Sequence, residues 1–199
     1  LHRQKPQQAQ QELLPLQVRQ EPGADREVAG TNGRMLELFV GATKLVATLM
    51  PNDDEALPHC VLRTAAQHQA HALIDCGGLL AGISNRDAAR TMHRLLHGQR
   101  AVVYFAADAG AAGWTVLLAG PTRQEEPLRV SAVRERDAFV LFDEARTRGA
   151  DMRLRTDACA LLTIGARLTK DKLMQAAGRM RQLGDAQSLV VALAPDVGA

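Results

Sequence analysis

From His71 onward the chain repeats one pattern: a short aliphatic run, a break rich in Gly, Asp or Arg, then another run. The runs are ALIDCGGLLAGI (Ala72 to Ile83), AVVYFA (Ala101 to Ala106), WTVLLAG (Trp114 to Gly120), FVLFDE (Phe139 to Glu144), ACALLTIG (Ala158 to Gly165) and SLVVALAP (Ser188 to Pro195). Runs this short with little polar alternation suit strands buried on both faces, and the intervening segments supply the crossovers that parallel strands need. The pattern predicts an α/β domain with a mainly parallel central sheet. In such sheets ligands sit at the carboxyl ends of the strands, which is where the loops after Asp143 and Gly165 fall.

Helices are expected between the runs. Ser84 is a good N-cap, with Asp87 three residues on, for a helix from Arg86 to Leu96, and a second helix is expected from Asp171 to Leu183. Ahead of the repeating pattern, Leu36, Phe39, Val40, Leu45, Val46 and Leu49 stand at roughly helical spacing. They predict an amphipathic helix from Met35 to Met50, stopped by Pro51, Asn52 and Asp53. His59 to Ala70 is a more polar helix candidate, whose His59 and His68, with the adjacent His71, read as rim residues. Residues 1–32, Gln-rich and broken by Pro6, Pro15 and Pro22, cannot bury enough surface to offset their ordering entropy. The expected organisation is therefore a flexible tail or linker over 1–32, a helical lead-in over 33–70, and the α/β domain over 71–199.

With 46% apolar residues the chain has enough to bury a sizeable core. No window approaches the roughly 18 apolar residues of a membrane span, and residues 1–30 carry no signal-like apolar block, so an intracellular setting without membrane is expected. A net charge of +2 neither demands nor excludes a nucleic-acid partner. Three widely spaced cysteines without C-x-x-C argue against a disulfide framework or a zinc site.

Three constellations bear chemistry. The first is the loop Arg146-Thr147-Arg148-Gly149-Ala150-Asp151 after the Phe139 run. Its Gly149 lets backbone approach a ligand, and Asp151 can accept from a ribose hydroxyl or orient an arginine. The second is Gln175-Ala176-Ala177-Gly178-Arg179-Met180-Arg181, where Gln175 and Arg179 are helical neighbours at i, i+4 and a guanidinium can stabilise charge in phosphoryl transfer. Alone, that pair of arginines reads first as solvated helix-end cations, and the finger role second. The third is Cys76 beside Gly77 and Gly78, a nucleophile only if a histidine (His71, His93 or His97) stands next to it in space, and otherwise a buried structural thiol.

The first two constellations, in this order and separated by one strand, resemble the motif pair of superfamily 2 helicases, R-G-x-D followed by Q-x-x-G-R. The resemblance extends to the translocation ATPase SecA, with Gly184-Asp185 as the following Gly-Asp turn. More narrowly, ALIDCGGLLAGISNRDAAR, FVLFDEARTRGADM and TIGARLTKDKLMQAAGRMRQLG are similar to the C-terminal helicase-like segment of very large eukaryotic proteins often labelled ubiquitinyl hydrolases. Asp75, Gly77, Gly82, Ser84, Asn85, Asp143, Thr147, Gly149, Asp151, Gly165, Thr169, Gln175, Arg179, Arg181 and Gly184 match that pattern. Arg146 stands where the family has His, Arg148 where it has Thr, and Ala166-Arg167 where it has Lys-Asp.

The resemblance implies a RecA-like three-layer domain, the C-terminal half of a helicase-like ATPase. It makes Arg179 the primary and Arg181 the second arginine finger, with Gln175 beside them and Gly149 and Asp151 at the nucleotide edge. ATP and Mg2+ would be bound mainly by an upstream P-loop domain, because these residues contain no G-x-x-x-x-G-K-[ST]. Two rivals remain: a non-catalytic interaction domain in a large assembly, and a cysteine-dependent ubiquitinyl hydrolase using Cys76. RNA or DNA would be held by its phosphates through Arg146, Arg148, Arg153 and Arg155, expected at one sheet edge, since only 3% of residues are aromatic and stacking platforms are scarce.

Overall fold

The computed structural model describes residues 31–107 and 112–197. The chain divides between Glu37 and Leu38, and the second unit, Leu38–Ala199, carries the sheet. The elements in chain order are α1 (Thr31–Ala42), β1 (Thr43–Thr48), α2 (Leu57–Gln67), β2 (Ala72–Ile74), α3 (Asn85–Leu95), β3 (Val102–Ala106), β4 (Gly113–Leu117) and β5 (Glu125–Pro127). They continue with β6 (Phe139–Phe142), β7 (Cys159–Ile164), α4 (Lys170–Ala177) and β8 (Ser188–Leu193). The eight strands form one sheet in the order β1-β8-β7-β2-β6-β3-β4-β5. The first six are parallel, and β4 and β5 continue the sheet antiparallel.

Alternate strand residues divide between two cores. Leu73, Val102, Tyr104, Leu141, Leu161 and Val190 pack with α2 (Cys60, Val61, Leu62, Ala65) and α3 (Ala88, Ala89, Met92). Ile74, Val103, Val140, Phe142, Leu162 and Leu189 face the other way, against α4 (Ala176, Ala177), Met180 and Met152. With both faces covered, each central strand is apolar throughout, which is why the runs read without polar alternation. This is the α/β, RecA-like three-layer plan with a mainly parallel sheet that was expected.

Two elements differ from expectation. The stretch read as one helix to Met50 is helical only to Ala42, where the Thr43 hydroxyl donates to the Phe39 carbonyl at 2.6 Å. From there β1 pairs with β8. The β-branched residues Thr43, Val46 and Thr48 favour that edge strand, and its Leu45 and Val46 are exposed rather than forming a helix's buried stripe. Residues 43–67 thus supply a strand and a covering helix to the same sheet. The helix expected to run to Leu183 ends at Ala177, with Gly178 as its cap, and turns carry the chain onward. The Ser84 cap is present, its side chain accepting from the Asp87 amide.

Candidate functional site

The loop after β6 starts with Asp143, whose carboxylate accepts from the Arg146 amide at 2.8 Å and caps a short turn over Glu144–Arg146. Gly149 then adopts φ +75°, a conformation that favours glycine, in open space. Ala150 and Met152 bury against the sheet while Asp151 stays exposed. From there the chain returns along the face to the amino end of β7.

Because α4 ends early, Arg179 and Arg181 sit in the turn that follows it, and they meet this returning segment. Arg179 donates through Nη1 to the Ala150 carbonyl and through Nε to the Gln175 carbonyl at 3.4 Å. Arg181 pairs with Asp151 at 3.1 Å. Two motifs separated by β7 in sequence are therefore in direct contact. Desolvation, then the neighbouring Arg181, lowers the Arg179 pKa. Gln175 uses only its backbone carbonyl here, and its side chain is exposed.

At the carboxyl ends of the strands, β2 continues through α3 on one face while its neighbour β7 continues through α4 on the other. That divergence is the switch point where open α/β sheets usually place a ligand crevice. Here backbone fills it. A Cβ on Gly77 would lie 2.6 Å from the Gly165 nitrogen, and one on Gly165 would lie 2.7 Å from the Gly77 oxygen. Asp75, 2% exposed, accepts from the Leu79 amide (2.8 Å), the Leu80 amide (2.9 Å) and the Thr163 hydroxyl (2.7 Å). The Gly77 amide in turn donates to the Thr163 hydroxyl at 3.0 Å. Burial raises the Asp75 pKa against the pull of these bonds. On the adjoining loops, the Asn85 amide donates to Asp143 and to the Phe105 carbonyl. The Arg146 guanidinium lies 3.7 Å from the centre of the Phe105 ring, a cation–π contact.

The environment of Cys76 does not suit a nucleophile. Its thiol donates to the Thr163 carbonyl at 2.9 Å, and burial followed by the nearby Asp75 charge pushes its pKa up to about 12. Nucleophilic cysteines need the opposite shift. Among the described residues no hydrogen bond links it to a histidine. His71 lies at the far end of β2, where its ring accepts from the Cys159 amide at 3.2 Å, and the His93 ring contacts the Leu118 carbonyl at 3.1 Å.

A wide open space lies at the other end of the sheet. A cavity of about 1060 Å³ there is lined by residues preceding the strands, among them His71 before β2, Arg100 before β3, Arg136 before β6, and Arg153 and Arg155 before β7, and by Arg179 and Arg181. The expected single edge for Arg146, Arg148, Arg153 and Arg155 is therefore wrong. β6 and β7 are parallel to the same neighbour, so the loop between them starts at one end of the sheet and finishes at the other. Arg146 stacks at the carboxyl end, whereas Arg153 and Arg155 face the cavity at the amino end. Arg100, Arg134 and Arg136 went unnoticed in the sequence. The readable signal was a cation a few residues ahead of successive aliphatic runs.

No family model matches the chain, and neither a curated protein nor a solved structure does. No helix among the described residues is long and apolar enough to cross a membrane. Nor does any group of three or more His, Cys, Asp or Glu among them stand ready to hold a metal. The sequence contains no G-x-x-x-x-G-K-[ST] loop to cradle phosphate.

Proposed function

We propose that this chain is the second RecA-like half of a superfamily 2 helicase-like ATPase, which offers arginines to a nucleotide held by a P-loop domain in an intracellular protein. The observation that supports the reading is the contact of Arg179 and Arg181 with Ala150 and Asp151, which joins the R-G-x-D and Q-x-x-G-R segments. The two arginines differ in readiness. The Arg181–Asp151 pair, 60% and 76% exposed, costs little to break, since such surface pairs are worth about 0–1 kcal/mol. Arg179, half-buried and held by a carbonyl, is the better positioned and the less mobile. On this reading Arg179, already fixed against the loop, is the primary finger, and Arg181, released from Asp151, is the second. ATP and Mg2+ would supply the phosphoryl chemistry from the partner domain, and contact with RNA or DNA phosphates belongs to the same proposal.

The test is ATP turnover by the protein joined to its P-loop partner. Loss of an arginine finger removes about 10³-fold or more of kcat, so Arg181→Ala and Arg179→Ala should each approach that loss. Unchanged turnover in both would leave the second reading, a non-catalytic interaction domain in a large assembly. One observation favours that rival: both guanidinium groups already have partners inside the domain.

A further inference from the structure

We infer that the cavity at the amino ends of β2, β3, β6 and β7 binds a compact polyphosphorylated anion, seated by Arg100, Arg136 and Arg153. None of the three is a proposed arginine finger, so the inference does not rest on the motor reading; Arg153 alone is shared with the nucleic-acid contact proposed there.

Charge carries the first step. The lining holds Arg100, Arg134, Arg136, Arg153, Arg155, Arg179 and Arg181 against Glu135, Asp137, Asp151 and Asp157. Arg134 is paired with Asp137 at 2.9 Å, Arg155 with Asp157 (Nη2 to Oδ2, 2.9 Å) and Arg181 with Asp151 at 3.1 Å, and Arg179 is tied to the Ala150 carbonyl. Arg100, Arg136 and Arg153 have neither an acidic nor a carbonyl partner among the described residues. Setting Glu135 against any one of them still leaves the cavity positive.

Burial carries the second step. Arg100 is half-buried, and desolvation followed by repulsion from Arg155 lowers its pKa. Desolvation and the charges of Arg100 and Arg155 do the same to His71. A partly desolvated cation without a counter-ion is costly, and an anion in the cavity would relieve that cost. Guanidinium groups match phosphate oxygens in bidentate geometry.

Shape and composition narrow the ligand. The three arginines come from three separate segments around one cavity far larger than a single phosphate, and a ligand with several phosphates is the kind that meets all of them. Among the described residues no Phe, Tyr or Trp lines the space, and His71 is its one ring, so stacking platforms for bases are scarce and recognition rests chiefly on phosphate. A volume of about 1060 Å³ admits a small molecule of many charges.

The experiment is calorimetric titration of the chain with inositol hexakisphosphate and with tripolyphosphate, using inorganic phosphate and a single-stranded homopolymeric oligonucleotide as comparisons. Both polyphosphates should bind far more tightly than inorganic phosphate. Arg136→Ala, Arg153→Ala and Arg100→Gln should each weaken binding about tenfold, the expected loss of one charge-assisted contact. Arg94→Ala, at an exposed arginine outside the cavity, should change it little. Thermal melts show whether Arg100→Gln is folded, and the exposed Arg136 and Arg153 carry the test if it is not. The inference fails if neither polyphosphate binds at millimolar concentration, or if the Arg136→Ala/Arg153→Ala double variant binds as wild type. It also fails if the oligonucleotide binds more tightly than either polyphosphate with the same arginine dependence, because the ligand is then an extended strand.

Discussion

Adding one methyl group at Gly77 should destabilise the fold more than its size suggests. Neither Gly77 nor Gly165 has positive φ, so alanine is free to adopt either backbone conformation and strain of that kind does not enter. What enters is space. The new Cβ would sit 2.6 Å from the Gly165 nitrogen, about 0.8 Å inside the 3.4 Å at which ordinary contact begins. The obstacle is backbone in the adjacent strand end, so no rotamer change relieves it, and β2 and β7 must separate at their carboxyl ends. Overpacking of this kind costs about 1–3 kcal/mol. Separation also loosens the 2.7 Å bond from Thr163 to Asp75 and the 3.0 Å bond from Gly77 to Thr163, adding roughly 1 kcal/mol. The expected loss is about 2–4 kcal/mol in urea unfolding, seen as a lower midpoint with an unchanged slope. Gly165→Ala should match it, and the double variant should lose less than the sum because both methyl groups occupy one contact. Gly113→Ala is the control: its Cβ meets nothing within 4 Å and its φ is not positive, so reduced unfolded-chain entropy should leave it neutral or slightly stabilising. If Gly77→Ala were as stable as Gly113→Ala, the closed switch point would be a wrong description of this sheet.

Further outcomes follow from single groups. Asp75→Asn should cost about 1–3 kcal/mol, because an amide offers one acceptor oxygen where two are used by three donors. The raised Asp75 pKa adds a pH signature. Its contribution is complete below the unfolded value of about 3.8 and is lost as pH rises through the folded value, so urea stability should fall with pH in wild type relative to Asp75→Asn across that window. Iodoacetamide at pH 8 should leave Cys76 unmodified in the native chain and alkylate it in urea, read by mass spectrometry, since a thiol raised to about 12 holds almost no thiolate. Glu55, held at about 2 chiefly by its hydrogen bond from Arg63, contributes stability present above its ordinary 4.5 and lost as pH falls through about 2. By NMR its carboxyl carbon should titrate at higher pH in Arg63→Ala, moving towards the ordinary value while the bond from the Asn52 amide remains.

The sheet was legible from the chain because its central strands are covered on both faces, which forces unbroken aliphatic runs such as Phe139–Phe142 and Ser188–Leu193. β1 was not. An edge strand with exposed Leu45 and Val46 answers to one neighbour's hydrogen bonds rather than to a buried face, and its apolar residues fell by accident at helical spacing. The contact between the arginine turn and the Gly149–Asp151 loop was legible as a pair of motifs, but its place was not. The shortness of α4 depends on where Gly178 stops it, and that in turn sets which end of the sheet the arginines approach. The cavity arginines were hidden for a different reason. They come from separate pre-strand segments, and only the parallel order of β2, β3, β6 and β7 brings those segments to one end.

That placement reverses the usual expectation for such a sheet. At the carboxyl ends of β2 and β7 the crevice is occupied by glycine backbone, and Asp75, Thr163, Asn85 and Asp143 spend their polar groups on one another and on nearby main chain. A ligand there would have to displace bonds already made. At the amino ends the polar groups face the other way in energy. Arg100, Arg136 and Arg153 lack acidic and carbonyl partners among the described residues, and desolvation, followed by repulsion from Arg155, already depresses the Arg100 pKa. An anion that enters gains contacts without breaking any. The end of this sheet with unspent charge, rather than the end favoured by topology, is where a ligand has most to offer the fold.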